Sequence, residues 1–298
     1  MRLVGSAVVA CLAFALLLGN GAAVGCDIPV YEYTLNYWQR DPYRVYYLHE
    51  GVIPPANAAV NKALQKASLS GGGHANLELM SVDVGGLPNV LDERLKAVLS
   101  LAGPKRPPYY AIVPPRRPPL YIGGLGARQA RDLVQSPAAK RVADLLCHGK
   151  QGVLIVLPGP EEGANQRALQ VATGAVDAAS HKEQDLGLVS LDRASRADQW
   201  LVRQLLSVES DLPELKQPMV FGVFGRAHVT EPYVGKGITG ENLGELIEFM
   251  NGPCTCQIKE ANLGMDLLTN ADWLAFTDDS AEPVKPDVPG GFISLDDE

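Results

Sequence analysis

The sequence predicts an α/β protein made of two tandem copies of one folding unit, each a mixed central sheet flanked by helices. The first observation is an internal repeat. The segment Leu-Glu-Leu-Met-Ser-Val-Asp at residues 77–83 returns as Leu-Gly-Leu-Val-Ser-Leu-Asp at residues 186–192. The second is that the same shift superimposes the apolar run at residues 44–48 on residues 153–157. The third is that helical and strand-like patterns follow in the same order in both copies.

Each copy is predicted to begin with a capped helix. In the first copy, Asp27 can cap a helix that has Pro29 just inside it. In the second copy, Ser136 can cap a helix with Pro137 at its first position. A proline at that position is favoured because its missing N–H would have no partner inside the helix. These caps place the first helix of each copy.

The next elements are strand, helix, strand, helix, hairpin and helix in both copies. Their ranges are 43–48 and 152–157 for the first strand, 55–69 and 161–180 for the first of these helices, 77–83 and 186–192 for the second strand, and 108–124 and 218–235 for the hairpin. Ser195 and Asp198 predict the start of the helix after residues 186–192, and Thr239 is predicted to cap the last helix. Because a helix joins the first two strands, they should lie parallel, whereas the hairpin adds antiparallel strands.

This order, together with the segment Gln-Pro-Met-Val-Phe-Gly-Val-Phe-Gly at residues 217–225, resembles the thioredoxin fold. In thioredoxin-like proteins the proline that opens the hairpin is cis and faces the active site. The resemblance therefore implies that Pro218, and either Pro107 or Pro108, are cis prolines at a binding groove.

Thioredoxin catalysis also needs Cys-x-x-Cys at the N-terminus of the helix after the first strand, where backbone N–H groups lower the thiol pKa. Residues 50–56 and 158–164 occupy that place in the two copies and contain no cysteine. Both copies are therefore expected to be degenerate, and thioredoxin catalysis at these positions is not expected.

The first 25 residues are expected to be a secretory signal. They have a basic start at Arg2, an apolar stretch at residues 7–18 and small residues up to Gly25. Two processing routes fit: cleavage by signal peptidase after Gly25, and lipoprotein processing that acylates Cys26. A lipid group on Cys26 would attach the protein to a membrane face without a spanning segment. The expected location is the periplasm or the cell envelope.

Five segments are predicted from the repeat and from composition. They are a signal peptide at 1–25, a first thioredoxin-like domain at 26–135, a second at 136–252, a Cys-x-Cys extension at 253–277 and an acidic, disordered tail at 278–298.

The charge of the chain argues against a nucleic-acid partner. The chain has 26 basic and 34 acidic residues, a net charge of −8, and it lacks a basic stripe with interleaved aromatic residues, so neither nucleic acid nor anionic lipid should be favoured. Residues 105–119 hold four basic residues but also six prolines, and this segment is predicted to be a hairpin tip.

Four cysteines follow the signal: Cys26, Cys147, Cys254 and Cys256. A disulfide between Cys254 and Cys256 would close a tight ring that strain makes easy to reduce, which suits disulfide exchange. The alternative is structural disulfides that pair these two with the other cysteines, which an exported location favours. A metal site combining the cysteines with His148 lacks the usual ligand spacing, so we predict no metal and no other cofactor.

The chain also resembles a family of uncharacterised exported bacterial proteins. The likeness is carried by Cys-Asp-Ile-Pro-Val at residues 26–30, Trp38, Gly-Pro-Cys-Thr-Cys-Gln-Ile-Lys-Glu-Ala-Asn at residues 252–262, and Asp-Leu-Leu at residues 266–268. The family implies no activity.

Two functions stay open. The missing Cys-x-x-Cys favours a non-catalytic binding or assembly protein with a protein partner in the envelope. The alternative is a thiol-disulfide oxidoreductase or isomerase that uses Cys254 and Cys256, with Pro218 shaping its substrate groove.

Overall fold

The computed structural model describes residues 28–87, 91–254 and 264–277. They form a mixed α/β structure with two mixed sheets, of four and six strands, and the predicted α/β class is confirmed. The helices are α1 (Val30–Asn36), α2 (Pro55–Ala67), α3 (Glu93–Ala102), α4 (Ala127–Val134), α5 (Pro137–Cys147), α6 (Glu162–Ser180), α7 (Gln199–Leu206) and α8 (Gly240–Asn251). The strands are β1 (Tyr43–His49), β2 (Leu77–Asp83), β3 (Tyr109–Val113), β4 (Tyr121–Gly123), β5 (Gly152–Leu157), β6 (Leu186–Ser190), β7 (Met219–Phe224), β8 (His228–Val229), β9 (Tyr233–Val234) and β10 (Met265–Asp266).

The two sheets repeat one strand arrangement. In the first sheet the order is β2-β1-β3-β4, with β1 parallel to β2 and antiparallel to β3. In the second sheet β5 is likewise parallel to β6 and antiparallel to β7. The return arm of the second hairpin is split into β8 and β9, which both pair with β7. The parallel first pair and the antiparallel hairpin predicted for each copy are therefore confirmed.

The predicted helix starts are confirmed at two positions and wrong at two. Helix α1 begins at Val30, with Pro29 at the N-cap position in place of Asp27 and with no side-chain cap. Ser136 accepts a hydrogen bond from the N–H of Ala139, and Thr239 caps α8 in the same way. Helix α7, however, begins at Gln199 instead of Ser195. The carboxylate of Asp198 accepts hydrogen bonds from the Ser136 hydroxyl and the Ala138 N–H at the start of α5. It also accepts one from the Ser195 hydroxyl. Across the described ranges, no helix is both long and apolar enough to cross a bilayer.

One hydrophobic core lies between the two sheets. The side chains of Tyr43, Val45 and Tyr47 enter it from β1, and those of Val153 and Ile155 enter it from β5. Helices α2, α4, α5 and α7 contribute to the same cluster. The alternate residues of β1 face outward onto α3, and those of β5 face outward onto α6 and α8. The period-two alternation of each strand thus divides its side chains between a shared inner core and a separate outer one.

The two ends of the described chain cross between the halves. Helix α1, which the sequence analysis groups with the first copy, packs on the second sheet: Val30 N–H donates to Gly252 O at 2.9 Å, and Arg226 Nε donates to Leu35 O at 2.6 Å. In the other direction, the segment after β10 reaches the first half, where Thr269 N–H donates to Asn76 Oδ1 at 3.1 Å. The two halves are therefore joined by hydrogen bonds of these two segments as well as by their common hydrophobic core.

Candidate functional site

The two prolines predicted to be cis differ in the structure. The Pro107–Pro108 peptide bond is cis, as predicted for Pro108. The bond before Pro218 is not among the cis peptide bonds of the described ranges, so that prediction is wrong. Pro218 lies directly before β7, and its carbonyl oxygen accepts a hydrogen bond from the N–H of Gly235 at 2.9 Å. A binding role for either proline stays a prediction.

The loop beside Pro108 contains no thiol. Leu48 lies opposite Tyr109 in the sheet, so Pro108 is next to the end of β1, whose last residue is His49. The Nδ1 atom of His49 is 2.9 Å from Gly51 O, and its ring stacks on Tyr47. Val52 is 93 % exposed. This edge of the sheet presents an imidazole and an apolar side chain, and neither is a thiol nucleophile.

Cys254 lies far from Pro218 along the second sheet. The thiol residue is 4 % exposed, and its N–H donates to Ile28 O at 2.8 Å, beside the start of α1. It follows α8, whose Met250 packs against Gly152 at the edge where β5 begins and β7 ends. Pro218 precedes β7 at the opposite edge. The described residues therefore form no groove shared by Cys254 and Pro218, while Cys256 and Cys26 lie outside the described ranges.

Cys147 is unsuited to thiolate chemistry. Burial, with the Asp144 carboxylate beside it, raises the pKa of the Cys147 thiol to about 11. The neighbouring His148 has its Nδ1 atom 2.6 Å from Asp144 O. In residues 28–87, 91–254 and 264–277, no group of three His, Cys, Asp or Glu side chains is placed to hold a metal ion.

A cavity of about 480 Å³ lies where the halves meet. Its walls come from the β3–β4 connection on one side and from α7 with the following segment on the other. We call it the junction cavity; its lining residues include Arg117, Pro118, Pro119, Leu206, Glu209 and Pro213. Ligand sites favour such places between packed units, and this volume is in the usual range for a small-molecule site.

Three arginines give the junction cavity its electrostatic character. Arg116 Nη2 is paired with Asp41 at 2.6 Å, and Arg117 Nη2 lies 3.4 Å from Glu209 Oε1. The guanidinium of Arg203 is centred 5.5 Å from the Trp200 ring and has one hydrogen bond, at 3.4 Å. Asp41 and Glu209 pair with two of these three guanidinium groups, so one positive charge, that of Arg203, is left over. Such a wall attracts anions.

Sequence reasoning missed this cavity because it forms only on folding. The sequence signal at this cavity is the run Pro-Pro-Arg-Arg-Pro-Pro at residues 114–119, whose prolines predict a hairpin tip. The segment joins β3 to β4, and the backbone at Arg116 adopts a left-handed conformation with a φ of 54°. The prolines fix the backbone and present two adjacent arginines to α7. The opposite wall comes from residues that lie about 90 positions later in the chain.

No protein-family model matches the chain, and no curated protein sequence matches it closely.

Proposed function

We propose that this chain is an exported, non-catalytic binding protein of the cell envelope, built from two thioredoxin-like units whose ligand site is the junction cavity. Support for the units comes from the strand order, which is β2-β1-β3-β4 in the first sheet and has the same β6-β5-β7 core in the second. The helices between the strands follow the order of the thioredoxin fold in both halves. The cis Pro108 directly before β3 agrees with that fold.

The observation that carries the non-catalytic part is the chemistry of the loops after β1 and β5. In a thioredoxin these loops carry the reactive thiols, whereas here they contain Glu50 to Pro54 and Pro158 to Glu161, without a cysteine. The second loop is also closed. A Cβ atom on Gly159 would lie 2.2 Å from Lys216 O, so the backbone just before the second hairpin packs directly against Gly159. A substrate disulfide would meet no nucleophile at either edge.

An assay of disulfide chemistry tests this proposal. We expect the purified chain to reduce insulin, and to refold a protein with scrambled disulfides, no faster than buffer with the same reductant. A thioredoxin with an intact Cys-x-x-Cys is the positive control. Turnover that disappears in Cys254→Ser would show that the chain is a thiol-disulfide enzyme and would overturn the proposal.

The expected location has its own test. Fractionation of cells that express the full chain, with intact mass measurement of the exported form, should find it in the envelope without residues 1–25. A chain that keeps those residues and stays inside the cell contradicts export. A mass increase that is lost in Cys26→Ser would identify the lipid anchor.

A further inference from the structure

We propose that the junction cavity binds a small organic oxyanion, a phosphate or carboxylate on an apolar body, through Arg117 and Arg203. This inference rests on the proposed binding function and names its ligand class. Three observations carry it: surplus positive charge in the lining, guanidinium donors with weak partners, and apolar walls next to those donors.

The charge surplus is local and runs against the rest of the molecule. The whole chain carries −8, yet the lining of this cavity has three arginines and one glutamate, and one positive charge remains after Asp41 pairs with Arg116. A wall of this sign in an acidic protein repels cations and concentrates anions inside the cavity. The contrast with the surrounding surface makes the cavity selective for a small anion over an extended polyanion, which the rest of the surface would repel.

Two of the three guanidinium groups are only weakly engaged. The ion pair between Arg117 and Glu209 is 3.4 Å long, well beyond the 2.7–2.9 Å of a strong charge-assisted hydrogen bond. The Nε atom of Arg117 is buried and has no hydrogen-bond partner among the residues that the structure describes. Arg203 makes one hydrogen bond, to Leu120 O at 3.4 Å. A guanidinium has five N–H donors in a planar fork that fits an oxyanion with two bonds at once.

The third guanidinium is held in place by a short pair. Arg116 Nη2 lies 2.6 Å from Asp41 Oδ2, so this residue anchors the β3–β4 connection to the segment before β1. Its neighbour Arg117 is thereby held at the mouth of the cavity. We assign Arg116 to positioning and assign head-group binding to Arg117 and Arg203.

The apolar part of the lining fits the body of the ligand. Pro118, Pro119 and Pro213 are rigid, and Leu120 and Leu206 lie beside them. Arg203 is fixed from behind by the rings of Tyr121 and Trp200. Because the walls are stiff before the ligand arrives, little conformational entropy is lost on binding. An oxyanion without an apolar body would leave this surface in water.

Titration calorimetry with four probes tests the proposal: phenyl phosphate, benzoate, benzylamine and inorganic phosphate. We expect one-to-one binding of phenyl phosphate, benzoate or both, weaker binding of inorganic phosphate, and none of benzylamine. The tighter of the two aromatic anions identifies the head group. Binding should weaken in high salt, because exposed charge attraction is screened there.

Matched variants locate the site. Arg117→Met keeps an apolar side chain and should weaken the binding affinity for the aromatic anion about tenfold or more. Arg128→Met is the control, since Arg128 lies on α4 with its side chain 79 % exposed and 3.9 Å from Asp132; its affinity should not change. Arg203→Met is the second test should Arg117→Met fail to fold, as judged by its melting curve.

The proposal is overturned if neither aromatic anion binds the folded protein, if benzylamine binds as well as benzoate, or if Arg117→Met and Arg203→Met bind with unchanged affinity. The insulin assay separates this failure from failure of the proposed function. If the protein neither binds the anions nor turns over disulfides, only the proposed ligand class is refuted and the non-catalytic function stands. Thiol turnover with intact anion binding removes the non-catalytic function and leaves the anion site in place.

Discussion

Replacing Tyr43 by phenylalanine should weaken the junction between the halves without changing packing volume. The hydroxyl of Tyr43 is buried, 3.2 Å from Gln204 Oε1 on α7 and 3.1 Å from Asp266 O on β10. Burial, with the Asp266 carboxylate nearby, raises the pKa of this hydroxyl well above its ordinary value. The hydroxyl therefore remains a hydrogen-bond donor at neutral pH. It connects β1 of the first sheet with α7 and β10 of the second half.

The magnitude follows from the partners that remain. In Tyr43→Phe, Gln204 Oε1 still accepts the N–H of Leu268 at 2.7 Å, so the loss should be about 1–2 kcal/mol in the free energy of unfolding. Gln204→Leu removes the acceptor from both donors and leaves the Leu268 N–H buried and unpaired, which should cost about 2–3 kcal/mol. For a chain of this size, in which 1 kcal/mol shifts the melting temperature by about 2 °C, the first loss lowers it by about 2–4 °C.

Urea unfolding of the two single variants and the double variant measures the coupling between these side chains. We expect the double variant to lose about 1 kcal/mol less than the sum of the single losses, because both remove the same hydrogen bond. Tyr37→Phe is the control, since the hydroxyl of Tyr37 makes no hydrogen bond in the described structure. The reasoning is refuted if Tyr43→Phe costs no more than Tyr37→Phe, or if the two losses add fully.

Two further predictions concern the backbone and a thiol. Gly225→Ala should destabilise the protein by more than about 2 kcal/mol, because the φ of Gly225 is 56° and a Cβ there would lie 2.2 Å from Thr34 Oγ1; Gly174→Ala in α6, with nothing within 4 Å, should instead stabilise it by up to about 1 kcal/mol in the same thermal melts. The alkylation rate of Cys147, measured in a variant that has it as its sole cysteine, should rise with pH around 11 and not around 9. Because the folded state holds this proton more tightly, stability should fall as pH rises from about 9 to 11; a midpoint near 9 in folded protein contradicts the burial argument.

Local patterns in the sequence were sufficient for the sheets. The alternation through β1 and β5 predicts strands, and the helical run between each pair of parallel strands predicts their relative direction. Ser136 and Thr239 could be placed as caps because a cap depends on the next three residues. Asp198 shows where local reasoning stops, since its carboxylate bonds to α5 about 60 positions earlier instead of capping its own helix.

The candidate site was beyond local reasoning. The arginines at residues 116 and 117 are visible in the sequence, but nothing near them indicates that Glu209 and the end of α7 will form the other wall. The surroundings of Cys254 were also beyond local reasoning, because its burial beside Ile28 depends on a contact between distant parts of the chain. A reactive pair of Cys254 and Cys256 stays a prediction, since Cys256 lies outside the described residues.

The place of α1 has a consequence for the order of folding. Val30 bonds to Gly252 and Cys254 bonds to Ile28, so the first described helix finds its partners some 220 positions later in the chain. A growing or emerging chain cannot complete the second sheet's outer layer until α8 is available, and α1 must wait as an unattached segment throughout. Because these contacts join residues far apart in the chain, α1 should dock late in folding.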